Sequence, residues 1–453
     1  MFNIGMGKNQ EKKPLKEIAQ VTRPSLIVPT LLSYEVEEVF VPRGIPDVTL
    51  IDRSAHPKLG QARKHIKSGG LVSLYGDSKS GKTVLCLKVL EKHNPILLHG
   101  PHIQTEAEFW RIIGNKLNVP SLGIASRSSS EEQEREREAQ VVGGGGPFPG
   151  SITRRAAETF AHREDKGIAS TFNYGPHEVV EQLRDSRRPV VIDDFHAVPK
   201  DVQQGIIMRM KPAIDFGVTL VVVSIPEEIG DIVSGLTRPG EAVARSAKVE
   251  SPLWEPDEIR QIAEKGFAAL NMRVSKIAID TLTRRAYRNP LLMQDFCLNL
   301  CFGLGVERTL SEPTDFEISA ADIDRVVAGI AAQYEPGYRA YLGSTEGAAK
   351  KWRLATGHEV NLYVLILLSL SGIAINSPVR VIRIRERMEN ILDRHVNPPN
   401  EGNITQALSK MTERMNLDDQ EAPLRFDATR HLAYIAHPFF KLFLVWNLAK
   451  KYS

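Results

Sequence analysis

Five short, continuous runs of apolar residues stand out between residues 71 and 251 of the chain. They are LVSLY (71–75), PILLH (95–99), VVIDD (190–194), TLVVVS (219–224) and AKVES (247–251). A run without polar alternation is typical of a strand that is buried on both faces of a sheet. Helical stretches separate the runs, so the pattern predicts an α/β fold with a parallel five-stranded sheet and helices on both faces.

The pattern changes after Pro256, where the apolar spacing becomes helical. It predicts a small helical domain over residues 253–345. Further along, three helical stretches precede two β-prone runs, LRFDA (424–428) and LAYIA (432–436), and an amphipathic helix ends the chain. Three helices followed by a two-stranded wing predict a winged helix-turn-helix domain over residues 355–453.

Two segments lack the pattern of a packed domain. Residues 1–52 alternate proline with short β-prone runs, and we expect an extended arm that wraps the following domain. Residues 126–151 are first charged and then glycine-rich, which indicates a flexible insertion over 121–172. The insertion interrupts the α/β domain, which we expect to span residues 53–252.

A phosphate-binding sequence follows the first apolar run. The pattern GxxxxGK[ST] is matched in full by Gly76, Asp77, Ser78, Lys79, Ser80, Gly81, Lys82 and Thr83. Glycines allow the turn that aims backbone N–H groups at phosphate oxygens, and the helix that starts near Val84 adds a positive dipole. We expect residues 76–84 to bind ATP, with Lys82 at the β- and γ-phosphates and the Thr83 hydroxyl on Mg²⁺.

An acidic pair ends the third apolar run. In a phosphate-binding fold we expect Asp193 to hold Mg²⁺ through water and Asp194 to polarise the attacking water. The structural alternative for an Asp pair at a strand end is a helix cap or a turn. The phosphate-binding sequence upstream makes the catalytic interpretation the better one.

The order of these motifs resembles the AAA+/STAND class of P-loop ATPases, closest to bacterial and archaeal STAND-like or origin-recognition-like members, over about residues 40–450. The resemblance implies that Ser224, at the end of the fourth run, senses the γ-phosphate. It also implies a homo-oligomer in which an arginine before the fifth strand, Arg245 or else Arg238, acts on the neighbour's nucleotide. The structural alternatives are that Ser224 simply terminates its strand and that the two arginines form ion pairs on the surface.

The resemblance extends to the arm and to the helical domain over residues 253–345, which it implies is a lid. In YRNPLL (287–292), Pro290 matches the proline of a GxP-like element near the nucleotide, although Arg288 replaces the glycine. Residues 49–53 correspond to the segment that touches adenine. Asp194 replaces the glutamate of many members, and a carboxylate that is displaced by about 1 Å can cost about a hundredfold in rate. We therefore expect slow, gated hydrolysis.

Composition narrows the function classes. Lys and Arg number 58 against 55 Asp and Glu, so the net charge of +3 excludes a whole-molecule attraction to nucleic acid or an anionic membrane. The apolar run Val364 to Ile375 is too short to cross a bilayer, and we expect a cytoplasmic protein. The cysteines, Cys86, Cys297 and Cys301, lack the spacing of a zinc site and are expected in the core.

The predicted winged helix has few unpaired cations. Lys410 and Arg414 are the only cations of its expected recognition helix (404–415), beside Glu413. DNA readers cluster cations on one face, so a protein effector is favoured over DNA as the partner. The sequence thus predicts an Mg²⁺–ATP switch in signalling or anti-phage defence. A DNA-binding initiator or transposition-type ATPase and a scaffold without useful hydrolysis are the alternatives.

Overall fold

The computed structural model describes residues 33–119, 176–224, 246–343, 350–375, 378–416 and 423–453. The predicted insertion and the two candidate arginines, Arg238 and Arg245, lie outside these ranges. So does most of the predicted arm. The described residues from Tyr34 onward belong to one contact unit.

The α/β part of the chain is built on five strands. In chain order its elements are α1 (Val36–Val39), α2 (Gly60–Ser68), β1 (Gly70–Tyr75), α3 (Lys82–Leu90), β2 (Ile96–His99), α4 (Glu106–Leu117), α5 (Pro176–Ser186), β3 (Val190–Asp193), α6 (Lys200–Asp215), β4 (Thr219–Ser224) and β5 (Ser246–Glu250). The strands form one parallel sheet in the order β2-β3-β4-β1-β5. The predicted parallel five-stranded sheet is confirmed.

Alternate residues of β1 to β4 enter two separate cores, one on each face of the sheet, whereas the buried residues of β5 enter only one of them. Val190 and Ile192 of β3 are buried with Phe109 of α4. Val191, between them, is buried on the other face with Leu85 of α3. Both faces are therefore covered by helices at the four strands β1 to β4, which explains why these strands are continuous apolar runs, whereas the edge strand β5 alternates.

The second part of the chain is mainly helical. Its elements are α7 (Pro256–Ala269), β6 (Met272–Val274), α8 (Lys276–Arg285), α9 (Pro290–Gly303), β7 (Thr314–Phe316) and α10 (Ala320–Gly343). The strands β6 and β7 pair in parallel. This pair was absent from the prediction because three-residue strands are too short to show a periodic pattern.

The described end of the predicted arm, Tyr34 onward, is packed rather than extended. Glu35 and Glu38 form a capping box that starts α1. Val36, Val39 and Phe40 are fully buried in the core of the second part. Apolar residues at positions i, i+3 and i+4 lie on one face of a helical turn, so the expectation of an extended arm is wrong for this segment.

The third part contains three helices, a three-stranded antiparallel sheet, a separate antiparallel pair of strands and a final helix in several segments. Its elements are β8 (Trp352–Arg353), β9 (Glu359–Val360), α11 (Leu362–Ser371), β10 (Val379–Arg380), α12 (Val381–Ile391), α13 (Glu401–Asn416), β11 (Leu424–Asp427), β12 (Leu432–Ile435) and α14 (Pro438–Leu442), which continues through π-helical turns (Phe443–Ala449) into α15 (Lys450–Tyr452). The sheet order is β10-β12-β11, and β8 and β9 form the separate pair. The hairpin β11–β12 lies where two β-prone runs were predicted.

Two expectations about composition can be compared with the fold. The three cysteines are buried and unpaired. Within the described helices, none has the length and apolar character that a membrane span requires.

Candidate nucleotide-binding site

The phosphate-binding loop joins β1 to α3, and its glycines occupy positions that other residues would strain. Gly76 has φ 154° and Gly81 has φ 83°. A Cβ added to Gly76 would lie 2.9 Å from Cβ of Ser251, which follows β5. The loop is therefore packed tightly against the neighbouring strand end, and only glycine fits there.

Lys82 lies inside the curve of this loop. It is 8 % exposed, and its Nζ donates to the carbonyl oxygens of Gly76 at 3.1 Å and Asp77 at 2.6 Å. The Ser80 hydroxyl also donates to Asp77 O, at 2.8 Å. The lysine is thus held at the loop by the fold itself, with its charge where phosphate oxygens would bind.

Thr83 and Asp193 meet across the sheet edge. Thr83 Oγ1 donates to Asp193 Oδ2 at 2.8 Å, although the two residues are 110 positions apart. Burial and then the neighbouring charge of Asp194 raise the pKa of Asp193 above its ordinary value. A hydroxyl and a buried carboxylate are hard oxygen ligands, and a cation beside them would offset the cost of the buried charge. The pair therefore fits Mg²⁺.

Asp194 begins a single 3₁₀ turn after β3. Its φ is 50°, in the left-handed region, and its side chain makes no capping hydrogen bond to that turn. A Cβ on Gly100, after β2, would collide with the Asp194 carbonyl oxygen. The half-buried carboxylate is thus placed at the sheet edge by a strained turn rather than used as a cap.

Ser224 ends β4 at the same edge, beside Tyr75 of β1 in the register. It is 1 % exposed, and its hydroxyl has no hydrogen-bond partner among the described residues. The Ser78 hydroxyl of the loop is also buried without a hydrogen-bond partner among the described residues. A buried hydroxyl without a partner costs about 1–3 kcal/mol, and a bound polar group would remove that cost.

The lid side of the site contacts the loop through Asn289. Its Nδ2 donates to the carbonyl oxygen of Lys79 at 3.3 Å, and its Oδ1 accepts from the Leu292 amide at 3.1 Å as the N-cap of α9. Pro290, the residue that the resemblance favoured, occupies the first turn of α9. The structure therefore places the amide of the neighbouring Asn289 against the loop.

Trp254 is a site residue that the sequence did not reveal. Its Nε1 donates to the carbonyl oxygen of Ser80 at 2.8 Å. The guanidinium of Arg53 lies 4.3 Å from the Trp254 ring centroid and donates to the carbonyl oxygens of Pro252 and Leu253. In the sequence, Trp254 is a single tryptophan between a predicted strand and a predicted helix. Helix and strand propensities do not indicate that such a residue contacts a distant loop.

The adenine candidates at residues 49–53 separate into different environments. Thr49 is buried, donates to Val39 O at 2.9 Å and accepts from Gln294 Nε2 at 2.7 Å. Arg53 is buried beneath Trp254, and Asp52 accepts from the Ser54 amide at 2.9 Å. Thr49 therefore joins α1 to α9, and Arg53 supports the Trp254 ring.

The described site residues gather at one edge of the sheet. A cleft beside the loop is lined by the loop itself, the segment 251–254, the lid loop 287–289 and Ile375 of the third part. His196 lies in the turn after Asp194. Arg245 and Arg238 are outside the described residues, so they are not placed relative to this cleft.

Several solved structures are similar to this chain at low sequence identity. No family model and no curated protein sequence matches the chain. A Walker-type ATPase of Pyrococcus abyssi is similar in structure, with 13% identity, a TM-score of 0.48, and 87% of this chain and 96% of that chain covered. The Aeropyrum pernix ORC1 protein in complex with DNA is also similar, with 13% identity and a TM-score of 0.42, and 93% of this chain and 98% of that chain are covered. The Thermotoga maritima RuvB Holliday junction branch migration motor has 10% identity and a TM-score of 0.37, and 83% of this chain and 88% of that chain are covered.

The class of fold comes from the chain's own topology. A glycine-rich loop joins the fourth strand in the sheet order to a helix, and an aspartate ends the strand two places away. This is the α/β fold of the P-loop NTPases.

Proposed function

We propose that the protein binds Mg²⁺–ATP and hydrolyses it slowly, and that nucleotide binding switches the arrangement of the lid. The observation that supports this most directly is the hydrogen bond between Thr83 and Asp193 beside the loop that holds Lys82. The Lys82 ammonium, the Thr83 hydroxyl and the Asp193 carboxylate thus lie together beside the loop. Phosphoryl transfer requires these three groups together.

The residues have separate roles in this proposal. The backbone N–H groups of residues 76–84 bind the phosphates, and Lys82 faces the β- and γ-phosphates. Thr83 and Asp193 would hold Mg²⁺, which neutralises phosphate charge when it is bound. Asp194 orients the attacking water, and the Ser224 hydroxyl donates to the γ-phosphate.

Two observations support a switch rather than a rapid enzyme. Trp254 and Asn289 both donate to carbonyl oxygens on the outer side of the loop, at Ser80 and Lys79. A peptide group whose carbonyl oxygen is held on one side presents its N–H on the other, so these contacts favour a loop shape with N–H groups free for phosphate. A nucleotide that favours this shape also favours the lid position that supports it. The short Asp194 side chain favours slow turnover.

The third part would report the switch to a partner. Its three helices and small sheet fit a winged helix. Two of the arginines on α12 are paired with acids, since Arg383 contacts Glu386 and Arg385 contacts Glu389. Paired charges weaken phosphate recognition, so we propose a protein effector rather than DNA as its partner.

Calorimetry with ATP and Mg²⁺ tests the binding site. Lys82→Ala should weaken ATP binding at least tenfold because it removes the cation at the β- and γ-phosphates. Lys92→Ala, which removes an exposed lysine beyond α3, is the control and should bind ATP like the wild type. Equal affinity of Lys82→Ala and the wild type would refute the site.

Phosphate release tests the catalytic role of Asp194. Asp194→Asn retains the size of the side chain and its tolerance of positive φ, but it removes the charge that orients water. We expect unchanged ATP affinity and a turnover lower by about a hundredfold. Asp201→Asn, on the exposed start of α6, is the matched control. Wild-type turnover of Asp194→Asn would mean that another group activates the water.

A further inference from the structure

The final helix belongs to two hydrophobic cores at once. Phe439, Leu442 and Trp446 are buried in the core of the second part. Phe440 and Phe443, which alternate with them, are buried in the core of the third part. A helix with two buried faces fixes the position of the third part against the lid.

One charged residue is buried at this junction. Lys441 is 3 % exposed, and its Nζ donates to the carbonyl oxygens of Ser371 and Ile373 at the end of α11. Arg387 donates to the intervening Gly372 carbonyl oxygen at 3.1 Å. Burial and then the charge of Arg387 lower the pKa of Lys441 to about 8. The carbonyl oxygens at the helix end carry partial negative charge, which favours the ammonium there.

The remaining side of the Lys441 ammonium faces the lid. Its Nζ lies 5.4 Å from the centroid of the Tyr287 ring, within the range of a cation–π contact. Tyr287 and Arg288 both have left-handed φ values, 48° and 60°. Two such residues in succession form a tight turn with little freedom, and the turn delivers Asn289 to the carbonyl oxygen of Lys79.

These contacts form one continuous path from the third part to the phosphate-binding loop. It runs from the end of α11 to Lys441, then to Tyr287, Asn289 and Lys79. We propose that Lys441 is a positioning residue, which sets the geometry of the phosphate-binding loop from the third part through Tyr287 and Asn289. The inference rests on the proposed binding of ATP at this loop.

The chemistry of Lys441 supports a positioning role over a packing role. Burying an ammonium costs free energy that a methionine of similar length would not cost. The carbonyl oxygens of Ser371 and Ile373 and the ring face of Tyr287 fix the direction of the ammonium. An apolar side chain would pack there without fixing the end of α11 or the turn at Tyr287. Because coupling between sites is reciprocal, ATP at the loop should in turn hold the third part in place.

Lys441→Met in the full chain tests the inference. We expect ATP, measured by calorimetry with Mg²⁺, to bind at least threefold more weakly, because the loop must then be ordered on binding. Amide hydrogen exchange of residues 77–83 should be at least threefold faster without nucleotide. Lys451→Met, which removes an exposed lysine from the end of the same helix, is the matched control and should change neither value.

Two further variants separate positioning from stability. Asn289→Asp keeps the cap of α9 but removes the N–H donor to Lys79, so Lys441→Met should add no further loss of ATP affinity in that background. Tyr287→Leu keeps an apolar side chain but removes the ring, and it should behave like Lys441→Met. It also tests the path if Lys441→Met fails to fold.

The outcomes distinguish this inference from the proposed function. Wild-type ATP affinity and wild-type exchange of residues 77–83 in both Lys441→Met and Tyr287→Leu would overturn the coupling, while Lys82→Ala still lost ATP. Additive effects of Lys441→Met and Asn289→Asp would also overturn the path. A wild-type chain that binds no ATP would instead refute the proposed function.

Discussion

A buried carboxyl group, that of Asp193, and a half-buried one, that of Asp295, lie in different surroundings. Asp193 faces Thr83 and the loop of Lys82. Asp295, on α9, accepts from Asn299 Nδ2 at 3.0 Å and is partly compensated by the charge of Arg43. Burial raises the pKa of Asp295 to about 6, from an ordinary value of 3.8. The first group belongs to the proposed Mg²⁺–ATP site, and the second bears on stability.

Asp295 makes stability depend on pH. Because its folded pKa is raised, its contribution is fully present below pH 3.8 and is lost as pH rises through about 6. Between pH 4 and pH 7 the loss should be on the order of 2–3 kcal/mol. Asp295→Asn, whose amide can still accept from Asn299, should remove this loss in urea unfolding measured at the two pH values.

The control for this prediction is Glu264→Gln, which neutralises an exposed carboxylate on α7. It should retain the wild-type difference between pH 4 and pH 7. If Asp295→Asn also retains that difference, the carboxyl of Asp295 ionises in the folded protein as easily as in the unfolded chain.

Among the elements, the short segment between β5 and α7 helps to hold the phosphate-binding loop in place. Its first residue, Ser251, donates its amide to Tyr75 O at 2.6 Å, next to Gly76. Arg53 holds the carbonyl oxygens of the next two residues and also contacts Glu258 of α7 at 3.0 Å. The segment is therefore fixed at both ends, and Trp254 is presented to the loop by a rigid support.

Trp254→Phe should weaken ATP binding. The variant keeps a ring against Arg53 but loses the N–H donor to Ser80 O. A hydrogen bond contributes about 0.5–1.5 kcal/mol, so we expect a loss of ATP affinity between about twofold and tenfold by calorimetry. Trp352→Phe, in the third part, is the control. Unchanged affinity of Trp254→Phe would show that the loop holds its shape without this contact.

In the whole molecule, β5 is an edge strand of the described sheet. Arg245 precedes it in sequence and was predicted to act on a neighbour's nucleotide. If so, turnover per protomer should rise with protein concentration. Mixing Arg245→Ala with Lys82→Ala should restore hydrolysis, because each protomer supplies what the other lacks, and a trans arginine contributes about 10³–10⁵ to turnover.

The same measurement is repeated with Arg238→Ala, the second candidate. Restoration with one arginine variant and normal activity of the other would identify the trans residue. A strict monomer whose turnover does not depend on concentration would contradict both assignments and leave the site complete within one chain.

Much of the core and the loop could be predicted from local sequence. Gly76 and Gly81 lie where φ is positive, and the first four apolar runs lie where strands face a core on each side of the sheet. These features depend on each residue's own conformational limits and on burial, so they are visible without knowledge of distant neighbours. The helical turn Val36–Val39 was missed because four residues are too few to show a helical period.

What the sequence determined by itself is the phosphate-binding loop, the acidic strand end and the parallel sheet that joins them, since each follows from residues adjacent along the chain. Tertiary structure alone decided that Trp254 and Asn289 contact the loop, across 174 and 210 positions, and that Lys441 reaches Tyr287. Such contacts depend on how separate helices and strands pack, because packing brings together side chains whose local sequence carries no sign of their partner.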